Sequence, residues 1–314
     1  MIAERLHLAS DERALAYRTA ELAKADLVTN MVVEFTSLQG TMGHYYALSS
    51  GEDARVAAAI LEQYLPRSKG EATLSLPGIV VGLADQLDSL IGLFAVGLTP
   101  SGSADPYGLR RAALSIVQVL LDKNISLSLS ETVREIAPLL PVEISDETLS
   151  KVIVFVQRRL EGVLLDLGFR ADLVDAVLAE RGDNPALAYT SVKELNVWAG
   201  RPEFVQLLRA YARSTRLVRE MNERFALSPE FLTEPASRKL CEMYLIARER
   251  VNSETQVNEL LGVMMTLVAP IDDFFNDILV MHENKDLQNA RLGLLQHIAE
   301  LPKGIVDLTQ VAGF

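Results

Sequence analysis

Cysteine, tryptophan and histidine are nearly missing from this 314-residue chain: Cys241 and Trp198 stand alone, and the four histidines are His7, His44, His282 and His297. A single thiol forms no intrachain disulfide and no cysteine-based metal site, which fits a reducing compartment. The histidines are scattered and no His-Asp dipeptide occurs, so a hydrolytic metal lacks its usual ligands. No G-x-S-x-G elbow, Walker-type phosphate loop or dinucleotide-type glycine loop is present either. Cys241 lies among Leu240 and Met243 and reads as a buried thiol rather than a nucleophile. These gaps leave no convincing active site, so no catalytic residue and no metal ligand is assigned.

Long apolar runs are also lacking. Uncharged apolar runs such as Ser89 to Pro100 and Leu260 to Ile271 fall short of the ~20 residues that cross a bilayer. The opening MIAERLHLASDERALAYR is charged from Glu4 onward and has no signal-peptide core. The expectation is a soluble, unexported, cytoplasmic protein with no membrane partner. Glycine and proline are sparse at 18 and 12 residues, while Leu, Ala, Val, Glu and Arg dominate, so the fold class is read as all-α. At this length two domains are expected rather than one core. The formal charge of -12 argues against a protein that coats nucleic acid indiscriminately. Against that background residues 151 to 219 carry 11 Lys and Arg and 8 Asp and Glu, a locally positive stretch.

Leu15, Leu22, Leu27, Met31 and Phe35 recur at helical spacing and predict one long amphipathic helix over 11–35. Gly40, Gly43 and Gly51 predict a loop before a helix over 52–64, which Pro66 would close. Leu76-Pro77-Gly78 opens the next helix, with Val80, Leu83, Leu87, Leu90 and Phe94 in one stripe. The loop GLTPSGSADPYG separates it from a helix over 109–121. The Pro-containing stretch 138–146 reads as a linker, with Ser145 or Asp146 able to cap the helix after it. The boundary is placed at 145, giving domains 1–145 and 146–314. Further helices are expected over 147–167, 171–180, 190–197, 202–224, 236–249, 254–280 and 285–300.

Asp85 and Asp88 are three residues apart on one predicted helix, so both carboxylates can face the same space. A metal phosphohydrolase uses such pairs; solvated aspartates are the plainer alternative. Arg209, Arg213 and Arg216 fall at i, i+4 and i+7 and share a narrow arc of one helix face. Such a row can clamp successive phosphates, or it can be a solvated face paired with acidic neighbours. Trp198 and Tyr211 lie close by in sequence and can either stack on unpaired bases or fill the core. Arg110-Arg111 and Arg158-Arg159 are two further basic doublets.

The string KADLVTNMVVEFTSLQGTMGHYYALSSGE, Lys24 to Glu52, resembles a long pattern of the bacterial glycyl-tRNA synthetase beta subunit. GLADQLDSLIGLFAVGLTPSGSADPYGLRRAAL, Gly82 to Leu114, is similar to a second block of that family, with Gln86 in place of the usual Lys. APIDDFFNDILVMHENKDLQNARLGLL, Ala269 to Leu295, is similar to a third. The resemblance implies a helical HD-like domain without the metal ligands of true HD phosphohydrolases, followed by a DALR-type anticodon-binding bundle. It also implies that the chain is the C-terminal part of a longer subunit. That subunit recognises tRNA(Gly), while a separate alpha subunit, using ATP and Mg, activates glycine. No cofactor is then expected in this part, and DNA is not a partner.

Carried over residue by residue, the family's Lys-Arg reads Ala212-Arg213 here and its following Asn reads Arg216. The Ala-Leu-Arg of the DALR-type signature reads Asp286-Leu287-Gln288, losing one positive charge, while Arg291 keeps the later Arg-Leu match. The tRNA-contacting residues expected on these grounds are Arg110, Arg111, Arg158, Arg159, Trp198, Arg209, Arg213, Arg216 and Arg291. The competing readings are a divergent HD-type phosphohydrolase using Asp85 and Asp88, and a scaffold that docks other subunits without binding RNA.

Overall fold

The computed structural model describes residues 1–65 and 74–314; the helix stop expected at Pro66 lies outside the described residues. The chain is all-α. Among the described residues there is no β-strand, only an isolated bridge between Ser101 and Ala104. The helices in order are α1 Ile2–Arg5, α2 Ser10–Leu22, α3 Asn30–Glu34, α4 Thr41–Ser49, α5 Ala54–Glu62, α6 Leu76–Ala95, α7 Leu109–Asp122 and α8 Leu129–Ile136. They continue with α9 Asp146–Asp166, α10 Ala171–Arg181, α11 Pro185–Ala199, α12 Pro202–Val218, α13 Pro235–Arg250, α14 Val257–Met265, α15 Val268–Asp277 and α16 Lys285–Ala299. Two compact units result, Met1–Gly162 with Asp183–Ala186, and Val163–Gly182 with Leu187–Phe314.

In the first unit α6 is the core helix. Ser75 caps it by accepting a hydrogen bond from the Gly78 N–H at 3.3 Å, and Pro77 sits in its first turn, where no N–H is needed. Its apolar stripe packs against α2, α5 and α7. By length and composition α6 is sufficient to cross a bilayer, but 56% of its most apolar window is buried inside the protein. The helix expected over 11–35 is broken. It ends at Leu22, and a 3-10 turn Ala25–Val28, the short α3 and a second 3-10 turn Thr36–Leu38 come next. The cause is Asp26, whose buried Oδ2 accepts from the Gly40 N–H at 2.7 Å and the Gly43 N–H at 3.1 Å, pulling the chain out of helical register. The loop expected around those glycines instead contains α4, because Gly40 at φ 78° starts a helix rather than continuing a coil.

In the second unit α12 packs on α15 and α16, and α13 packs on α15. Buried Arg181 donates to Ser191 Oγ at 2.9 Å and to the carbonyls of Ser253 at 3.2 Å and Thr255 at 2.6 Å, tying α10 and α11 to the turn before α14. The helix expected over 254–280 is two helices. Pro270 cannot donate to a preceding carbonyl, so α15 starts afresh with the proline in its first turn. Ser145 does cap α9, its Oγ accepting from the Thr148 N–H at 3.2 Å.

Candidate nucleic-acid interface

Pro202 opens α12, and Phe204, Leu207, Leu208, Tyr211 and Val218 bury one side of it. The opposite side is left to Arg209, Arg213 and Arg216, all exposed, so the structure brings these three together. Two of them are steadied by rings: the Arg213 guanidinium lies 4.7 Å from the centre of Phe275, and that of Arg216 lies 5.4 Å from Phe314. Stacking on a ring holds the guanidinium plane while leaving its edge donors outward. Arg213 also pairs with Asp272 at 2.8 Å, which offsets part of its charge. Arg209 has no ion-pair or hydrogen-bond partner among the described residues. The supporting pair Phe275 and Phe314 was not read from the sequence, because nothing in spacing links residues 62 and 98 positions further along the chain.

Two expected RNA contacts are corrected. Trp198 is only 7% exposed; its indole N–H donates to Asn258 Oδ1 at 2.8 Å and Arg201 covers its ring at 4.5 Å, so no base can stack on it. Arg291 is 3% exposed and donates to the Leu279 carbonyl at 2.7 Å and to the Glu234 carboxylate, so its guanidinium is held inside the unit, away from a phosphate at the surface. Tyr211 is core as well. Its hydroxyl donates to the Ala299 carbonyl at 2.8 Å, and burial pushes its pKa up to about 12.

The two doublets lie in the first unit. Arg110 donates to the carbonyls of Gly102 at 2.6 Å and Ala104 at 3.3 Å and so braces the loop before α7, while Arg111 points to solvent. The N-terminus of α7 is capped by Asp105, which accepts from the Leu109 and Arg110 N–H groups at 2.8 and 2.9 Å. On α9 Arg158 is exposed and Arg159 leans on the Phe155 ring at 5.2 Å.

Asp85 and Asp88 line a cavity of about 440 Å³ whose walls are otherwise mostly apolar, and Asp85 pairs with Lys24 at 2.9 Å. Among the described residues no group of three or more His, Cys, Asp or Glu is placed to hold a metal ion. Cys241 is buried, and desolvation raises its thiol above the usual range, the opposite of an activated nucleophile.

Comparison with known proteins identifies the family. A family model described as glycyl-tRNA synthetase beta subunit matches residues 1–179, and one described as DALR anticodon binding domain matches residues 207–311, which contain the arginine row. The glycine--tRNA ligase beta subunit of Moorella thermoacetica is 38% identical over 319 residues, covering 98% of this chain and 46% of its own length. That of Syntrophomonas wolfei is 37% identical over 303 residues, 94% of this chain and 44% of its own. Glycine--tRNA ligase, chloroplastic/mitochondrial 2, of Arabidopsis thaliana is 37% identical over 298 residues, 94% of this chain and 28% of its own. The chain thus spans less than half the length of these relatives. With one family model matching residues 1–179 and the anticodon-domain model matching 207–311, the chain belongs to the glycyl-tRNA synthetase beta-subunit family and carries a DALR anticodon-binding domain.

Proposed function

We propose that this chain grips tRNA(Gly) for a glycine--tRNA ligase whose chemistry, with ATP and Mg, takes place on a separate alpha subunit in the cytoplasm. The observation that carries the reading is the coincidence of the anticodon-domain match with an exposed, ring-supported arginine row on α12. Phosphates held by that row set the position of the RNA, and unpaired anticodon bases supply the specificity. Arg111 and Arg158 offer further cations on the first unit. The chain itself carries no aminoacylation site in this reading.

A gel-shift titration with tRNA(Gly) and a non-cognate tRNA tests it. Tighter binding of the cognate, with no glycine-dependent pyrophosphate exchange by the chain alone, is the expected result. Absence of any tRNA affinity would reduce the chain to a scaffold, and bound Mn or Zn with phosphohydrolysis lost in Asp85→Ala would make it a hydrolase.

A further inference from the structure

Within the second unit, segment 305–314 is fastened along its length. Ile305, Val306, Leu308 and Val311 are buried, and a 3-10 turn Leu308–Gln310 shapes its middle. Two hydrogen bonds latch it to α10: the Asp307 N–H donates to the Ala176 carbonyl at 2.8 Å, and the Ala312 N–H donates to Asp172 Oδ2 at 2.8 Å. Asp172 is itself held, since Arg170 donates to its two oxygens at 3.0 and 2.6 Å. Burial alone would raise this carboxyl, but the hydrogen bonds from Arg170 and the Ala312 N–H outweigh it and keep it below its ordinary 3.8, so the latch is a carboxylate.

Past the second latch, Gly313 at φ 100° takes a conformation that residues with a side chain rarely adopt, and it turns the chain onto α12. The Phe314 ring then lies 5.9 Å from the ring of Tyr211 and 5.4 Å from the Arg216 guanidinium. Tyr211 is a fixed support, 4% exposed and bonded through its hydroxyl to the Ala299 carbonyl. Phe314 thus bridges the core of α12 and one exposed cation of the arginine row.

The three arginines differ in how they are restrained. Arg213 is held by Phe275 and by Asp272, and Arg209 by no ion pair or hydrogen bond among the described residues. Arg216 likewise has no ion pair or hydrogen bond among the described residues, so its restraint is the Phe314 ring. An arginine loses rotamer freedom when it grips a phosphate, and a ring that already holds it takes that loss beforehand.

We propose that segment 305–314 is a positioning strap for the arginine row: its latches on α10 set the place of Phe314, and Phe314 holds Arg216 for a phosphate. The proposal rests on the tRNA reading and deepens it, because it makes α10 and Asp172, which do not belong to the row, control how well the row grips. Coupling of this kind is reciprocal, so RNA bound at Arg216 tightens the strap in turn.

The test measures tRNA(Gly) binding by filter retention at about 0.1 M salt, with melting temperatures as a check on the fold. Phe314→Leu keeps an apolar side chain against Tyr211 but removes the ring face, and it should weaken binding about three- to tenfold. Phe314→Tyr keeps the ring and should bind as the parent does. Arg216→Gln should cost about sixfold, and adding Phe314→Leu to it should cost nothing more, since the ring acts only through that arginine. Asp172→Ala should weaken binding to no greater extent than Phe314→Leu, and its effect should also vanish in the Arg216→Gln background. Hydrogen exchange at the Ala312 and Phe314 amides of the parent should slow when tRNA saturates it, a measurement that needs no variant to fold. Parent affinity in Phe314→Leu, losses that multiply in the double variant, or amides that exchange equally with and without tRNA each overturn the strap while leaving the tRNA reading in place. A parent that does not bind tRNA at all overturns that reading, and the strap with it.

Discussion

Replacing Arg209, Arg213 and Arg216 together by glutamine removes three guanidinium groups from the exposed face of α12 and leaves its buried stripe intact. Each phosphate neutralised by a protein cation contributes about 0.7 to 0.9 to the slope of log affinity against log salt, so the triple variant should flatten that slope by about 2 to 3. At 0.1 M salt the same release is worth roughly 250-fold in affinity, about 3 kcal/mol. The three positions should not contribute equally. Arg213→Gln also uncovers Asp272, its partner at 2.8 Å, and turns a neutral pair into a carboxylate facing phosphates. It should therefore cost more than Arg209→Gln, which leaves no carboxylate behind. Arg216→Gln loses a cation seated on Phe314 and should fall between them. Filter binding of tRNA(Gly) and a non-cognate tRNA across a salt series reads all of this, with circular dichroism confirming the fold. The loss should be nearly the same for both tRNAs, because phosphate contacts carry no sequence information. If the triple variant keeps the parent's affinity and slope, the row is a solvated helix face and the RNA surface lies elsewhere.

Arg291→Gln should destabilise the second unit by about 2 to 4 kcal/mol in urea unfolding, since it removes one partner of a largely buried ion pair. Burial alone would raise the Glu234 carboxyl, but hydrogen bonds from the backbone, Ser237 and Arg291 outweigh it and hold it below its ordinary 4.5. The folded group is thus the more acidic, so its stabilisation is present above about pH 4.5 and lost as pH falls below it; Glu234→Gln should remove that part of the pH dependence. Trp198→Phe should cost about 1 kcal/mol through the lost hydrogen bond to Asn258 and leave tRNA affinity unchanged, whereas a cognate-specific loss of binding would restore it as a base-stacking residue. Asp26→Ala should cost about 2 to 4 kcal/mol by leaving the buried Gly40 and Gly43 amides without an acceptor, and a melting temperature within error of the parent would show that Asp26 does not hold this segment.

Much of the helical framework was legible because its signals are local. Leu76-Pro77-Gly78 announced α6, Ser145 announced α9, and the i, i+4, i+7 spacing of the arginines placed them on one face of α12. The failure at 11–35 is instructive. Leu27, Met31 and Phe35 have helical spacing, yet they are exposed, and the residues that set the local fold are their neighbours Asp26, Thr29 and Val32. Periodicity reports which residues share a side, not whether that side is covered. The charge partners were illegible for a different reason. Whether Arg213 meets Asp272, or Arg291 meets Glu234, depends on chain segments 59 and 57 residues apart that only the packed unit brings together.

The fate of Arg291 also limits what a motif transfers. The stretch carrying it looks like an RNA signature, but Arg291 holds the Leu279 carbonyl, and Gln288 donates to the Met281 sulfur at 3.5 Å and accepts from Lys285 at 2.8 Å. These residues stabilise the turn between α15 and α16, so their loss would disturb the platform on which α12 rests. The charge that does face outward on α12 lies in Arg209, Arg213 and Arg216, two of which stand where the family pattern is not matched or only half matched. In a chain of net charge -12 a small cationic row cannot hold RNA indiscriminately, because the surrounding field opposes approach. Such a row favours an RNA that is delivered in one orientation, with its remaining contacts made by other parts of the assembly. Affinity of the isolated chain should then be modest and strongly salt-dependent, and it should rise when the unlike subunit docks and adds contacts to the same tRNA. Titrating tRNA(Gly) against the chain with and without the alpha subunit measures that gain, and equal affinity in both cases would show that the row binds alone.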